Sequence, residues 1–256
     1  MRGALILAGA VAVGAIAIGV AARGGDLTDP NEIIVQGLQA SRESQSGHIT
    51  ITLDGNLSEP SSGMDVSLDG AVIEGDFDAT QAAAQMTFSL PSLLGLNGEI
   101  RVIGDDLYLQ SSLTGPMWIH QSISESDLPV PEPTASADPE SQIREFLATE
   151  GVTAEKLADE SCGQRTCYHV RLTIDPEALA GLDPSIADTL PTDTLTGPIV
   201  IDLLFDKNQL WLAGVSTTLE LGDSSLTVAV TLTDLDGPLN VTAPPADEIQ
   251  EGFELP

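Results

Sequence analysis

The sequence predicts a mainly β (α+β) protein built on one antiparallel sheet of about ten or eleven strands, with three helices. Three observations carry that expectation. Apolar and polar residues alternate at a period of two through most of the chain, the spacing that buries one side of a strand and wets the other. Gly, Asp and Asn punctuate these runs at short intervals, as hairpin turns require. Helix starts are few: Asp29-Pro30, Asp138-Pro139 and Asp175-Pro176, each with an acid close behind. At such sites Asp caps, Pro takes the first helical position and the acid complements the helix dipole. With one apolar sheet face and so few helices, the helices are expected on that face only.

The 256 residues suffice for one large β-rich domain or two small ones. Nine Lys and Arg stand against 39 Asp and Glu, a formal charge of −30. A surface this acidic repels phosphate backbones, which excludes nucleic acid as a partner. Aromatic residues make up only 4%, in keeping with a thin aliphatic core between sheet and covering elements.

Residues Ala4 to Ala22 are 19 uncharged, mostly apolar residues between Arg2 and Arg23. As a helix they span about 28 Å, enough to cross a bilayer. Segment 1–23 is therefore a signal anchor or a signal peptide. Its length favours the anchor, while Val20-Ala21-Ala22 offers a small-residue cleavage site. It contains no cysteine, so lipid attachment there is excluded. Residues 24–28 read as a linker, 29–250 as the folded domain and 251–256 as a tail. From Asp29 to about Ser41, Ile33, Ile34 and Leu38 line one helix face, and Glu32 stands three places after the cap as in a capping box.

Ile49, Ile51 and Leu53 then alternate with polar residues, and Asp54-Gly55 is expected to turn the chain. Val66, Leu68 and Val72 follow, then Ala82, Ala84, Met86, Phe88 and Leu90. Next come Ile100 to Ile103, a turn at Gly104-Asp105-Asp106, Leu107 to Gln110, and a short strand from Met117 to His120. The connection from Ser89 to Leu96 is apolar where a polar turn is expected. It is either folded over the core or the mouth of a cavity or a membrane contact.

Ser124 to Glu140 is a Pro-, Ser- and acid-rich loop, and the helix after it presents Ile143, Phe146 and Leu147. Cys162 and Cys167 bracket Gly163-Gln164-Arg165-Thr166 ahead of a clear strand of Tyr168, Val170, Leu172 and Ile174. A lone C-x4-C pair lacks further zinc ligands and is not the C-x-x-C of redox enzymes. A disulfide across the hairpin is the expectation, which places the domain outside a reducing cytosol. A helix follows from Pro176 to about Leu182, then a further turn over Pro184 to Leu190. The last strands are Ile199 to Phe205, Trp211 to Leu221 and Leu226 to Leu232, with a tight turn at Gly222-Asp223. The chain leaves through Leu239 to Pro245.

His48, His120 and His169 belong to no H-E-x-x-H and stand beside no glycine-framed serine, and no glycine-rich phosphate loop follows a strand. Asn56-Leu57-Ser58 and Asn240-Val241-Thr242 match the glycosylation acceptor pattern. The chain does not read as an enzyme. No catalytic residue, metal ligand or cofactor is assigned.

The order of elements, with Gly98–Gln110 (GEIRVIGDDLYLQ), Cys167–Leu179 (CYHVRLTIDPEAL), Ile201–Leu210 (IDLLFDKNQL) and Leu239–Ile249 (LNVTAPPADEI), resembles the LppX/LprG-type envelope lipoproteins over about residues 30 to 250. The resemblance implies a LolA/LolB-like fold: a strongly curved antiparallel half-barrel with helices on the concave face. It also implies binding, and transport, of acylated lipids or glycolipids at the outer side of a bacterial membrane. This sequence departs from the family in lacking a lipobox cysteine, so segment 1–23 would have to replace lipid attachment. On this expectation Ile51, Val66, Leu68, Met86, Phe88, Leu203, Phe205, Val228 and Val230 line a lipid cavity between sheet and helices. Leu90, Leu93, Leu94 and Leu96 form its lip, and the net charge argues against a strongly anionic headgroup unless a basic residue such as Arg101 helps. The alternative is an extracytoplasmic sensor or interaction module that uses the same half-barrel to hold an envelope transporter or signalling protein.

Overall fold

In the computed structural model, the described residues are 26–59, 64–123, 138–180, 195, 197–222, 224–237 and 239–251. The expected anchor or signal, most of the 124–140 loop and the turn over 184–190 lie outside them. No helix among the described residues is long and apolar enough to cross a membrane.

The sheet is the expected one, curved and open, but with fourteen strands. They are β1 (Ser46–Glu59), β2 (Met64–Ser67), β3 (Ala71–Asp78), β4 (Ala83–Leu90), β5 (Leu96–Ile103), β6 (Asp106–Ser111) and β7 (Trp118–Ser122), then β8 (Val152–Lys156), β9 (Glu160–Cys162), β10 (Arg165–Ile174), β11 (Ile199–Asp206), β12 (Leu212–Leu221), β13 (Ser224–Thr233) and β14 (Ile249–Glu251). The helices are α1 (Pro30–Glu43), α2 (Pro139–Leu147) and α3 (Pro176–Ala180), and a short 3-10 turn occupies Ala246–Glu248. The strand order is β14-β7-β6-β5-β4-β3-β1-β13-β12-β11-β10-β8, with β2 on β1 and β9 on β10. Two meanders therefore meet where β1 pairs with β13. We call β3–β7 the N-terminal wing and β8–β13 the C-terminal wing. Every pair is antiparallel except β14 on β7, where the returning C-terminus lies parallel.

Several local expectations change. Asp54-Gly55 does not turn the chain, because β1 runs on to Glu59. Gly55 sits at φ +132°, and a side chain there would strike the Ser225 carbonyl of β13. The glycine serves a close strand crossing rather than a reversal. The reversal comes at Asp69-Gly70, between β2 and β3. It shifts the alternation by one, so Ala71 and Ile73, not Val72, share a face with Leu53 and Ile51. The hairpin turn is tighter than expected, since Cys162 pairs with Arg165 across Gly163-Gln164. The disulfide to Cys167 is consequently diagonal, with Cα atoms 5.9 Å apart. At α1 the Asp29 carboxylate accepts from the Asn31 and Glu32 amides, but Glu32 does not reach back to the cap. Its carboxylate instead accepts from Gln36 and pairs with Arg144 of α2, and these partners hold it below the ordinary Glu range.

The main core lies on the C-terminal wing. Ile33, Ile34 and Val35 of α1 and Leu147 of α2 pack on Val152, Tyr168, Val170, Leu172, Ile174, Ile199, Leu203 and Phe205. No residue of the N-terminal wing belongs to this cluster. Val170 and Phe205 are fully buried, and a side chain at Gly37 of α1 would overlap the Phe205 ring. The glycine is what lets α1 lie this close to β11. Each fully buried apolar side chain contributes about 1.5–3 kcal/mol.

Candidate functional site

The strand registers put the predicted site residues on one face. Across β11, β12, β13, β1, β3 and β4, Leu203 pairs with Val215, Val215 with Val230, Val230 with Ile51, Ile51 with Ile73, and Ile73 with Phe88. One row of residues thus runs from beneath α1 into the N-terminal wing. A second row continues outward from Met86 through Ile100 and Leu109 to Ile119. Because side chains alternate along a strand, these rows share the helix-bearing face.

They do not share one environment. Leu203 and Phe205 belong to the core under α1, where Phe205 has no exposed surface. Ile51, Val66, Leu68 and Val228 gather with Leu53, Ala71, Leu90 and Leu226 in a second, smaller cluster at the seam between the wings. Val230 is half-buried beside them, as are Met86 and Phe88 on β4. Farther out, Ile100, Leu109 and Ile119 are half-buried as well. Two glycines thin this layer: Gly75 stands opposite Met86, and Gly98 lies against the Phe88 ring.

Of the expected lip, Leu90 ends β4 in the small cluster and Leu96 opens β5 opposite it. Leu93 and Leu94 project from the turn between them, Leu94 with its full surface in solvent at 103%. Sequence reasoning missed Leu113, 80% exposed in the β6–β7 turn. A lone leucine among Ser, Thr, Gly and Pro carries no periodic pattern to find it by.

Arg101 is not available to this face. It stands one position out of phase with Ile100, over the Trp118 ring at 4.7 Å. Its side chain pairs with Glu99 and donates to the Thr242 carbonyl, tying the C-terminal segment to the opposite face. The other cations are also engaged. Arg144 pairs with Glu32 and Glu140, Lys156 with Asp159, Arg165 with Asp206, and Arg171 with Asp202. Lys207 bridges Asp26 and Asp159, which lowers both carboxylates and raises the lysine. Arg42 is engaged too.

The opposite face is polar. There His48 meets Asp76, His120 meets Asp106 and stacks on Tyr108, and His169 lies between Glu160 and Asp202. Arg171, with His169, holds the Asp202 carboxyl below its ordinary range. A groove of about 370 Å³ opens on this face, between the hairpin tip at Ser161–Arg165 and Leu204, Gly214, Ser216, Ala229 and Thr231. No group of three or more potential metal ligands occurs among the described residues.

No family model matches the chain, and no curated relative matches it. Solved structures do. The lipoprotein LppX of Mycobacterium tuberculosis superposes with a TM-score of 0.51 at 19% identity, over 83% of this chain and 97% of LppX. LprF of Mycobacterium bovis gives 0.49 at 13% identity, over 84% and 96%. A LolA superfamily protein of Nitrosomonas europaea gives 0.29 at 12%, over 84% and 96%. The fold is therefore that of LppX, as the sequence resemblance implied.

Proposed function

We propose that this protein is a non-enzymatic lipid binder and carrier that lays acyl chains along the apolar face of its N-terminal wing and the adjoining seam. One observation carries the reading. The apolar rows continue from β11 to β7, while the core that meets the helices stops at the C-terminal wing. The outer part of that face, from Ile73 and Met86 to Ile119, is left half-buried. Acyl chains suit it, since each buried CH2 contributes about 0.8 kcal/mol without a directional contact. The bound lipid has an uncharged headgroup: every described Lys and Arg is already engaged, and the chain carries a formal charge of −30. The protein works outside the cytosol, held at the membrane by segment 1–23, which the disulfide and the apolar N-terminal stretch support.

Mass spectrometry of organic extracts from the purified protein tests this. A lipid with long acyl chains and no net negative charge is expected, near one per chain. Val66→Trp or Met86→Trp should displace it while circular dichroism stays unchanged. Clean extracts, with no difference between wild type and variants in uptake of a fluorescent acyl probe, sink the carrier reading and assign the face to a protein partner.

A further inference from the structure

The two exposed hairpin tips of the N-terminal wing form one surface. The β4–β5 turn (Pro91–Gly95) and the β6–β7 turn (Ser112–Pro116) are joined by the Ser112 amide donating to the Asn97 carbonyl at 2.8 Å. The Asn97 amide donates in return to the Ser112 hydroxyl at 3.3 Å. Leu93, Leu94 and Leu113 therefore stand on neighbouring tips at one end of the sheet. Leu94 has φ +57°, a backbone that favours Gly or Asn over leucine, and its side chain touches nothing that would offset the strain. The isolated domain gains nothing from this placement.

Charge distinguishes these tips from the rest of the surface. Ala79 to Gly98 and Leu107 to Ser124 contain no Asp, Glu, Lys or Arg, in a chain with 39 acids. Asp69 and Asp54, on the β2–β3 turn and β1, each accept from a glycine amide. The position in the sheet is equally particular. The antiparallel registers set both tips at the end where β11 begins, at Ile199. The N-terminal segment leaves from the other end, where Asp26 pairs with Lys207 after β11 and the Leu27 amide donates to the Tyr168 hydroxyl.

We propose that Leu93, Leu94 and Leu113 form a docking tip that inserts into the interface of a lipid bilayer with uncharged or zwitterionic headgroups, at the end of the domain opposite its N-terminal segment. A fully solvated leucine gains from the acyl boundary, and the two tip segments themselves bring no carboxylate to meet the repulsion and desolvation that the rest of this acidic surface would meet there. The occupant is a membrane other than the one that segment 1–23 would hold. The inference goes beyond the lipid-holding face and stands without it.

The test uses full-length protein in nanodiscs, with an environment-sensitive fluorophore on Leu94→Cys, Leu113→Cys or, as a control at the other end, Asp105→Cys. Phosphatidylcholine vesicles containing brominated chains are then added. Labels at 94 and 113 should brighten about twofold or more and be quenched by bromine, while the label at 105 stays unchanged. In unlabelled protein, L94S/L113S should lower the fraction of nanodiscs that co-sediment with vesicles by about tenfold or more, with an unchanged circular dichroism spectrum. Labels at 94 and 113 that ignore vesicles, or a label at 105 that responds equally, overturn the proposal. Lipid extracted from the same preparations reports separately on the carrier reading: a wild type that carries lipid but does not dock refutes the tip alone.

Discussion

The two wings are written in the same alphabet and folded to different ends. Val170 and Phe205 on the C-terminal wing, and Ile73 and Phe88 on the N-terminal wing, occupy the same face through one continuous register. The first pair is sealed beneath α1, and the second is half-buried. Period-two alternation fixes which side of a strand is apolar, but it does not say what will cover that side. Covering is decided by a glycine at position 37, a capped helix start at Asp29 and the Arg144–Glu32 ion pair that joins α2 to α1. On the proposed function, a fold that seals one half of an apolar face and leaves the other half-buried separates stability from binding.

If that separation is real, matched truncations should behave differently. Phe205→Ala is expected to cost about 3–5 kcal/mol in denaturant unfolding, because its cavity is walled by helix and sheet. Phe88→Ala should cost about 1 kcal/mol or less, since a half-buried ring leaves a site that solvent or lipid can fill. Equal costs would erase the distinction between the wings. Gly37→Ala comes next, at about 1–3 kcal/mol, as the added methyl drives the Phe205 ring off its position.

The disulfide sharpens the comparison from another side. Cys162→Ser with Cys167→Ser removes a very short loop closure, so thermal unfolding should lose at most about 2–3 kcal/mol. The lipid content should stay unchanged, because the hairpin belongs to the C-terminal wing and its tip faces the opposite groove. The smallest effect is electrostatic. Asp26 and Asp159 are lowered by Lys207, and Asp202 by Arg171. A depressed carboxylate stabilises the fold above its unfolded value, and that contribution is lost as the pH falls through its folded value. Stability of the C-terminal wing should therefore decline as the pH drops below the ordinary Asp value of 3.8. Hydrogen exchange read peptide by peptide should show β10 and residues 26–28 loosening before β4 and β5.

The sequence exposed the strands of the last third closely, because a large apolar residue recurs at every second position from Ile199 to Phe205 and from Leu226 to Leu232. It misled at Gly55, where a glycine that permits a strand crossing looks the same as one that permits a turn. It missed β14, whose three residues pair only because the chain returns to Trp118. Arg101 is unavailable to the apolar face for a physical reason: its phase along β5 puts it on the polar face, where Glu99, Trp118 and Thr242, which only the fold brings together, engage it. Nine candidate cavity residues were placed on one face by alternation alone. That Leu203 and Phe205 would be sealed while Met86 and Phe88 were not depends on where α1 lands.

The central claim, that the N-terminal wing and seam hold acyl chains while the C-terminal wing holds the fold together, is tested most directly by photolabelling. A fatty acyl probe carrying a diazirine in its chain would be bound, irradiated and mapped by peptide mass spectrometry. Adducts should fall on β3 to β6 and the seam, at residues such as Ile73, Met86, Phe88, Ile100 and Leu109, and should be competed away by unlabelled uncharged lipid. Adducts concentrated on β10 and β11 around Val170 and Phe205, or labelling that no competitor reduces, would contradict the account.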